Sequence, residues 1–185
     1  MAAARYELID DVLSAAGLSW YEVSNWARVS KETPTDARCR HNLGYWLDGD
    51  WWGLGPGAHS HLAGARWWNV KHPARYAALL AAGDAPEAGR EELTDAERAT
   101  ERVMLRLRLA SGLPLTLLDD AGRAAAERAA ADGLLDPAAL TGAVQGAGRA
   151  GAEREPHAVL TRRGRLLADA VVHALLAGAP APVHA

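Results

Sequence analysis

The first apolar pattern is helical. Tyr6, Ile9, Leu13 and Ala16 recur at spacings of three and four, which predicts a helix over Ala2–Ala16, and Gly17 follows at the C-cap position. The period then changes, because Trp20, Tyr21 and Val23 favour extended backbone and Leu18–Trp26 reads as a buried strand. Helix, turn and strand make half of an α/β unit; opening on the helix leaves its apolar face without the strand it would pack against. Val29–Arg38, with Thr33–Pro34–Thr35–Asp36, reads as a loop. Leu43–Leu47 reads as a turn or short helix, Trp51–Leu54 as a short strand entering a glycine-rich turn, and Trp67–Val70 as another strand. Arg75–Ala82 reads as a short helix after Pro73, ended by Gly83–Asp84–Ala85–Pro86.

Beyond Leu93 the pattern stays helical. Thr94 and Glu97 stand three apart as a capping box, and the helix they open runs to about Ala110, with Gly112 closing it. Pro114–Leu118 and Asp120–Asp132 are further helices, Thr141–Pro156 is a Gly/Ala-rich loop, and His157–Thr161 is a short strand. Arg163–Ala177 closes as an amphipathic helix through Leu166, Leu167, Ala170, Val171, Ala174 and Leu175. Helices, a hairpin and a closing helix suggest a winged-helix-like arrangement.

Composition sharpens the division. Every Trp and Tyr lies at or before Tyr76, and there is no Phe. An aromatic, glycine-rich region over 1–76 therefore precedes a linker over 77–92, a helical module over 93–178 and a tail over 179–185. With 49% apolar and 23% charged residues the chain can bury a core. Its net charge of −3 is spread evenly, and the helix Asp120–Asp132 sets Arg123 and Arg128 against Asp120, Glu127 and Asp132, a poor phosphate binder; nucleic acid is not an expected partner. A single cysteine excludes an internal disulfide, and no stretch approaches membrane-spanning length, so a soluble, cytoplasmic protein is expected.

Candidate chemistry gathers between Cys39 and His61, where three of the seven histidines and three of the seven tryptophans lie. Gly53, Gly55 and Gly57 alternate, which on extended backbone opens one face to a flat ligand or to another strand. The spacing is not a dinucleotide fingerprint. His41 can offer an imidazole to iron, Tyr45 and Trp46 flat apolar walls, and Arg38 and Arg40 guanidinium groups to carboxylates. His59 and His61 share one strand face but lack a third zinc ligand at any familiar spacing. Cys39 stands beside Arg38, Arg40 and His41, and Glu22 and Asp50 are carboxyls without a recommending spacing.

Three strings in order, Tyr21–Glu22–Val23–Ser24–Asn25–Trp26–Ala27, Cys39–Arg40–His41–Asn42–Leu43–Gly44–Tyr45–Trp46 and Gly53–Leu54–Gly55–Pro56–Gly57–Ala58–His59–Ser60, closely resemble the signature of the HemW haem chaperones. These are radical S-adenosylmethionine proteins related to oxygen-independent coproporphyrinogen III oxidase of porphyrin biosynthesis. The resemblance continues through Leu93–Leu109 and Ala158–Leu167. It implies an α/β fold: the C-terminal part of a radical-SAM (β/α) barrel, with Tyr21–Trp26 as a barrel strand, followed by a small, mainly helical winged-helix-like domain. It implies haem binding by His41, Asn42, Tyr45 and Trp46, with His41 as the axial metal ligand, and S-adenosylmethionine contacts through backbone groups of Gly55, Gly57, Ala58 and His59. Family members hold a [4Fe–4S] cluster on a C-x-x-x-C-x-x-C motif. One cysteine cannot supply it, so the chain reads as the C-terminal portion of a member, without radical chemistry of its own. The expected partners are haem, a haem-acceptor protein and a separate chain carrying the cluster-binding half, with any peripheral membrane contact made through a partner. The alternative is part of an oxygen-independent coproporphyrinogen III dehydrogenase.

Overall fold

A computed structural model describes residues 2–28, 36–142 and 155–177. Most of the Val29–Arg38 and Thr141–Pro156 loops and the tail lie outside the described residues. The helix α1 (Ala2–Ala15) leads into a hairpin, β1 (Ser19–Glu22) and β2 (Asn25–Ala27), which replaces the expected single strand. Val23–Ser24 turns the chain back on itself, and the Asn25 amide fastens the turn by donating to Glu22 Oε1. A three-residue return strand is too short to leave a period of its own.

The helix α2 (Arg40–Trp46) is followed by a meander of β3 (His59–Leu62), β4 (Ala65–Asn69) and β5 (Glu87–Glu92), with α3 (Pro73–Ala82) inserted before β5. Pro73 occupies the first turn of α3, and Gly83 ends it in the left-handed region at φ 80°. Residues 77–92, where a linker is expected, hold the end of α3 and all of β5. Glu87–Ala88–Gly89–Arg90–Glu91–Glu92 has almost no strand propensity, and its pairing is set from across the ladder. A Cβ on Gly89 would stand 2.5 Å from the Trp68 indole, so the glycine leaves that ring its place, and the Arg90 guanidinium lies 5.7 Å over Trp67.

The remaining elements are α4 (Asp95–Arg106), β6 (Leu113–Pro114), a single 3₁₀ turn (Leu115–Leu117) where a helix over Pro114–Leu118 is expected, α5 (Asp120–Ala131), α6 (Pro137–Leu140), β7 (His157–Ala158), α7 (Arg162–Leu166) and α8 (Ala168–Leu176). The Thr94–Glu97 capping box is present, with the Thr94 backbone N–H 2.8 Å from the Glu97 carboxylate. The helix stops at Arg106 rather than near Ala110, because Ala110 N–H is drawn to Tyr21 O at 2.9 Å. The closing helix is broken at Leu167 into α7 and α8. Leu107, Leu113, Leu135, Val171 and Leu175 fill an aliphatic core between α4, α5 and α8. The buried polar residues Asp10, Glu22, Ser60, His61 and Asn69 all belong to the first part of the chain.

The two parts are joined through α1. Its predicted apolar face divides: Tyr6 and Leu13 turn partly inward, whereas Ile9 and Ala16 are exposed, as are Leu8 and Val12 outside that face. The buried residue on the inner side is Asp10, gripped by both terminal nitrogens of Arg165 at 3.1 and 2.9 Å and by Trp26 Nε1 at 2.7 Å. Arg165 in turn stacks over Trp20 at 4.7 Å. Burial alone would raise the Asp10 carboxyl, but hydrogen bonds from Arg165 and Trp26 and the charges of Arg165 and Arg162 outweigh it and hold the group below its ordinary value.

Removing this anion strands a buried guanidinium. Asp10→Ala is expected to cost about 3 kcal/mol in urea unfolding, and a loss under about 0.5 kcal/mol, the size of an exposed pair, would refute the joint. Because the folded carboxyl titrates below the unfolded one, its contribution is complete above the unfolded value of 3.8 and lost as pH falls through the folded value. Wild type should therefore lose more stability between pH 5 and pH 2.5 than Asp10→Asn does.

Candidate functional site

On the seven-residue α2, a spacing of four puts His41 and Tyr45 on one face. Their side chains meet, with Tyr45 Oη 3.1 Å from His41 Nε2 and the rings edge-on at 4.9 Å. Both are exposed. Asn42 points the other way, donating through Nδ2 to the buried Glu22 Oε1 at 2.8 Å, and the Trp46 indole nitrogen is buried with no partner among the described residues. The HNxxYW string is thus split by the helix into an outward pair and an inward pair.

Past α2 the chain reverses through Asp48, which adopts φ 60°, and Gly49, whose N–H reaches Gly44 O at 2.9 Å. Trp51 then pairs with His61 in a single bridge, with N···O distances of 2.8 and 3.0 Å; the expected strand Trp51–Leu54 goes no further. The Trp51 ring meets Tyr45 edge-on at 4.7 Å and His61 at 4.8 Å. His41, Tyr45, Trp51 and His61 therefore form one continuous run of rings from surface to interior. His61 is buried, and its Nδ1 lies 3.2 Å from Gly49 O.

Tyr45 and Trp51 form a wall between two hollows. One, of about 230 Å³, is bordered by Arg40, His41, Gly44 and Asp50. The other, of about 260 Å³, is bordered by buried His61, by Arg66 and Glu101, and by Met104 and Leu105 of α4. The two guanidinium groups differ in availability. Arg38 is committed to Asp36, at 2.8 Å from Nε and 2.5 Å from Nη2, and these hydrogen bonds lower the Asp36 carboxyl to about 2. Arg40 has no carboxylate partner among the described residues.

The glycine ladder is not extended. Gly55 and Gly57 sit at φ 104° and 69°, turning the chain sharply, and only Gly53 meets close backbone. A Cβ there would lie 2.1 Å from His59 O. The peptide groups of this turn are already engaged: Gly55 N–H with Tyr76 Oη at 3.2 Å, Gly57 N–H with Val70 O at 3.0 Å, Ala58 N–H with Gly55 O at 3.3 Å. The Asn69 amide donates to Gly55 O at 2.9 Å. What this stretch leaves for a ligand is the carbonyls of Pro56 and Gly57 and the His59 ring, stacked on Trp68 at 5.8 Å. Bound S-adenosylmethionine would therefore meet acceptor groups rather than N–H donors between Gly55 and Ala58.

A [4Fe–4S] cluster does not fit the residues present. The chain has one cysteine, Cys39, exposed at the N-cap of α2, and no group of three His, Cys, Asp or Glu side chains among the described residues could hold a metal ion. Sequence reasoning missed Trp51 as part of the wall, Asn69 and Tyr76 as clasps of the glycine turn, and the burial of Glu22. Trp51 and Trp52 look alike in sequence, and only the bridge to His61 separates the packed ring from the exposed one.

The comparisons with known proteins agree with the motifs. The chain is 52% identical to the haem chaperone HemW of Mycobacterium tuberculosis over 94% of its own length and 39% of that protein. It is 33% identical to HemW of Bacillus subtilis over 60% of its length and 28% of that protein. The chain thus spans about two-fifths or less of the curated relatives it matches. No protein-family model matches it. Among solved structures, coproporphyrinogen III oxidase (HemN) of Escherichia coli, described as a radical SAM enzyme, superposes with a TM-score of 0.59 at 18% identity, over 91% of this chain and 39% of that one. This likeness establishes the α/β fold. No described helix is long and apolar enough to cross a membrane.

The close approach at Gly53 makes a sharp test of the turn. Gly53→Ala must move the backbone of His59, and a loss of about 2 kcal/mol or more is expected in thermal or urea unfolding; an unchanged melting temperature would mean that the turn is built differently.

Proposed function

We propose that this chain, which is a HemW-type member of the radical-SAM, coproporphyrinogen oxidase-like family over the stretch it shares with those relatives, receives haem on the outer face of α2 and passes it to an acceptor protein. The observation that carries this reading is the pairing of exposed His41 and Tyr45 on α2, backed by the Tyr45–Trp51 wall. The relatives from M. tuberculosis and B. subtilis are named haem chaperones, which supports haem as the flat ligand.

The chemistry follows from the side chains. Tyr45 Oη holds His41 Nε2, and Nδ1 has no partner among the described residues. A proton on Nε2, donated to Tyr45 Oη, leaves the Nδ1 lone pair for iron and fixes the ring's orientation. The edge-on rings of Tyr45 and Trp51 offer apolar contact to a porphyrin, and Arg40, which makes no carboxylate ion pair among the described residues, suits a propionate. Asn42 and Trp46 serve the site from the inner side of the helix. An exposed site is suited to a carrier, because a cargo that is handed on must be reachable by the acceptor. Acceptor identity, a separate cluster-bearing chain, S-adenosylmethionine at Gly55–His59 and a cytoplasmic setting belong to this same reading.

Haemin titration followed at the Soret band tests the proposal. Wild type should saturate, and His41→Ala and Tyr45→Ala should each weaken binding by about tenfold or more with a changed spectrum, as loss of a ligand or its orienting partner does. If both variants overlay the wild-type titration, the site is elsewhere. After anaerobic reconstitution the purified chain should retain iron and acid-labile sulfide far below one cluster per molecule; stoichiometric cluster would contradict the reading of the donor set.

A further inference from the structure

Glu22 is 1% exposed, yet no arginine, lysine or histidine pairs with it among the described residues. Its carboxylate is held by two amides on one oxygen: Asn25 Nδ2 from the hairpin and Asn42 Nδ2 from α2, both donating to Oε1. A buried carboxylate without a cation is costly unless hydrogen bonds fix it in place. Its backbone is fixed as well, because Glu22 bridges to Leu109 while Val23 N–H meets Arg108 O and Ala110 N–H meets Tyr21 O. The acceptor therefore stands on a rigid point where the hairpin meets the chain leaving α4.

A seven-residue helix is too short to hold an orientation by itself. Asn42 lies between His41 and the rest of the motif, and its amide is the direct hydrogen bond from the inner face of α2 to that fixed point. Rotation of α2 about its axis would break this bond and turn His41 and Tyr45 off the Trp51 wall. We propose that Glu22 is the positioning residue of the haem site, setting the rotation of α2 through Asn42 without touching haem; this rests on the haem reading above. The Glu-x-x-Asn spacing of residues 22–25 then has a purpose: Asn25 closes the hairpin onto Oε1 and holds that oxygen toward Asn42.

The test is a set of haemin titrations on Glu22→Ala, Asn42→Ala, their double variant and Glu22→Gln, each below its own melting temperature and counted per folded molecule. Glu22→Ala and Asn42→Ala should each weaken binding by about tenfold, the scale of one charge-assisted hydrogen bond, and shift the Soret maximum. The double variant should be no worse than either single, because one interaction is lost. Glu22→Gln, which keeps the Oε1 acceptor, should restore most of the affinity and the wild-type spectrum. Leu107→Ala, in the aliphatic core, should lower the melting temperature while leaving affinity and spectrum unchanged, which separates positioning from stability. Unchanged affinity in Asn42→Ala, or losses that multiply in the double variant, would overturn the proposal even if Glu22→Ala does not fold. A wild-type chain with no saturable Soret change, or His41→Ala indistinguishable from it, would instead overturn the haem reading and this proposal with it.

Discussion

The Asp10–Arg165 pair is the contact on which the rest of the arrangement depends. It joins a helix at the start of the chain to one near its end, and it does so where α1 has no buried apolar residue to offer. Trp20 and Tyr6 cover the guanidinium, and Trp26 completes the carboxylate, so all four neighbouring elements are referred to one ion pair. Such a joint contributes little net stability compared with well-packed apolar residues, but it admits one geometry. Helix and hairpin are thereby fixed against α7, and Glu22, at the end of β1, is fixed with them.

The two halves are consolidated by different forces. From Val103 onward the core is aliphatic and would tolerate exchange of similar side chains at modest cost. Before Val70 the buried positions include a carboxylate, an imidazole, a hydroxyl and an amide, each bonded to a named partner. Directional bonds of this kind carry a site better than they carry stability, because each fails when its partner moves by less than an ångström. The glycine turn shows the same economy: Asn69 and Tyr76 bind its peptide groups, leaving Trp52 and Leu54 exposed.

How much was legible follows from where the signal lies. Thr94 with Glu97 and Pro73 with Gly83 are local signals, and α4 starts and α3 ends where they predict, whereas α2 already begins at Arg40, ahead of the turn or short helix expected over Leu43–Leu47. The hairpin β1–β2 and the strand β5 are not local. β2 is three residues long, and β5 is four-sixths charged, so each takes its conformation from the partner across the ladder. The alternating glycines misled for the converse reason: period two suggests a strand, but positive φ at Gly55 and Gly57 makes the spacing that of a turn. Motif resemblance singled out His41, Asn42, Tyr45 and Trp46 as candidates, yet it could not divide them into outward His41 and Tyr45 and inward Asn42 and Trp46.

That division bears on how so short a helix can hold a fixed orientation. α2 has no side-chain cap and no buried residue, so nothing within the helix determines its direction. Its start is held through Asn42 on Glu22, its outer face through Tyr45 on Trp51, and its exit through Asp48, which Arg102 of α4 meets at 3.1 Å, with Arg106 reaching Leu47 O at 3.4 Å. The last two contacts come from the helical module. They leave from Arg102 and Arg106, on a different side of α4 from Val103 and Leu107 of the aliphatic core, so the exit of α2 is tied to α4 directly rather than through that core. Inner face, outer face and exit are thus each held by a different part of the chain, which leaves His41 and Tyr45 exposed.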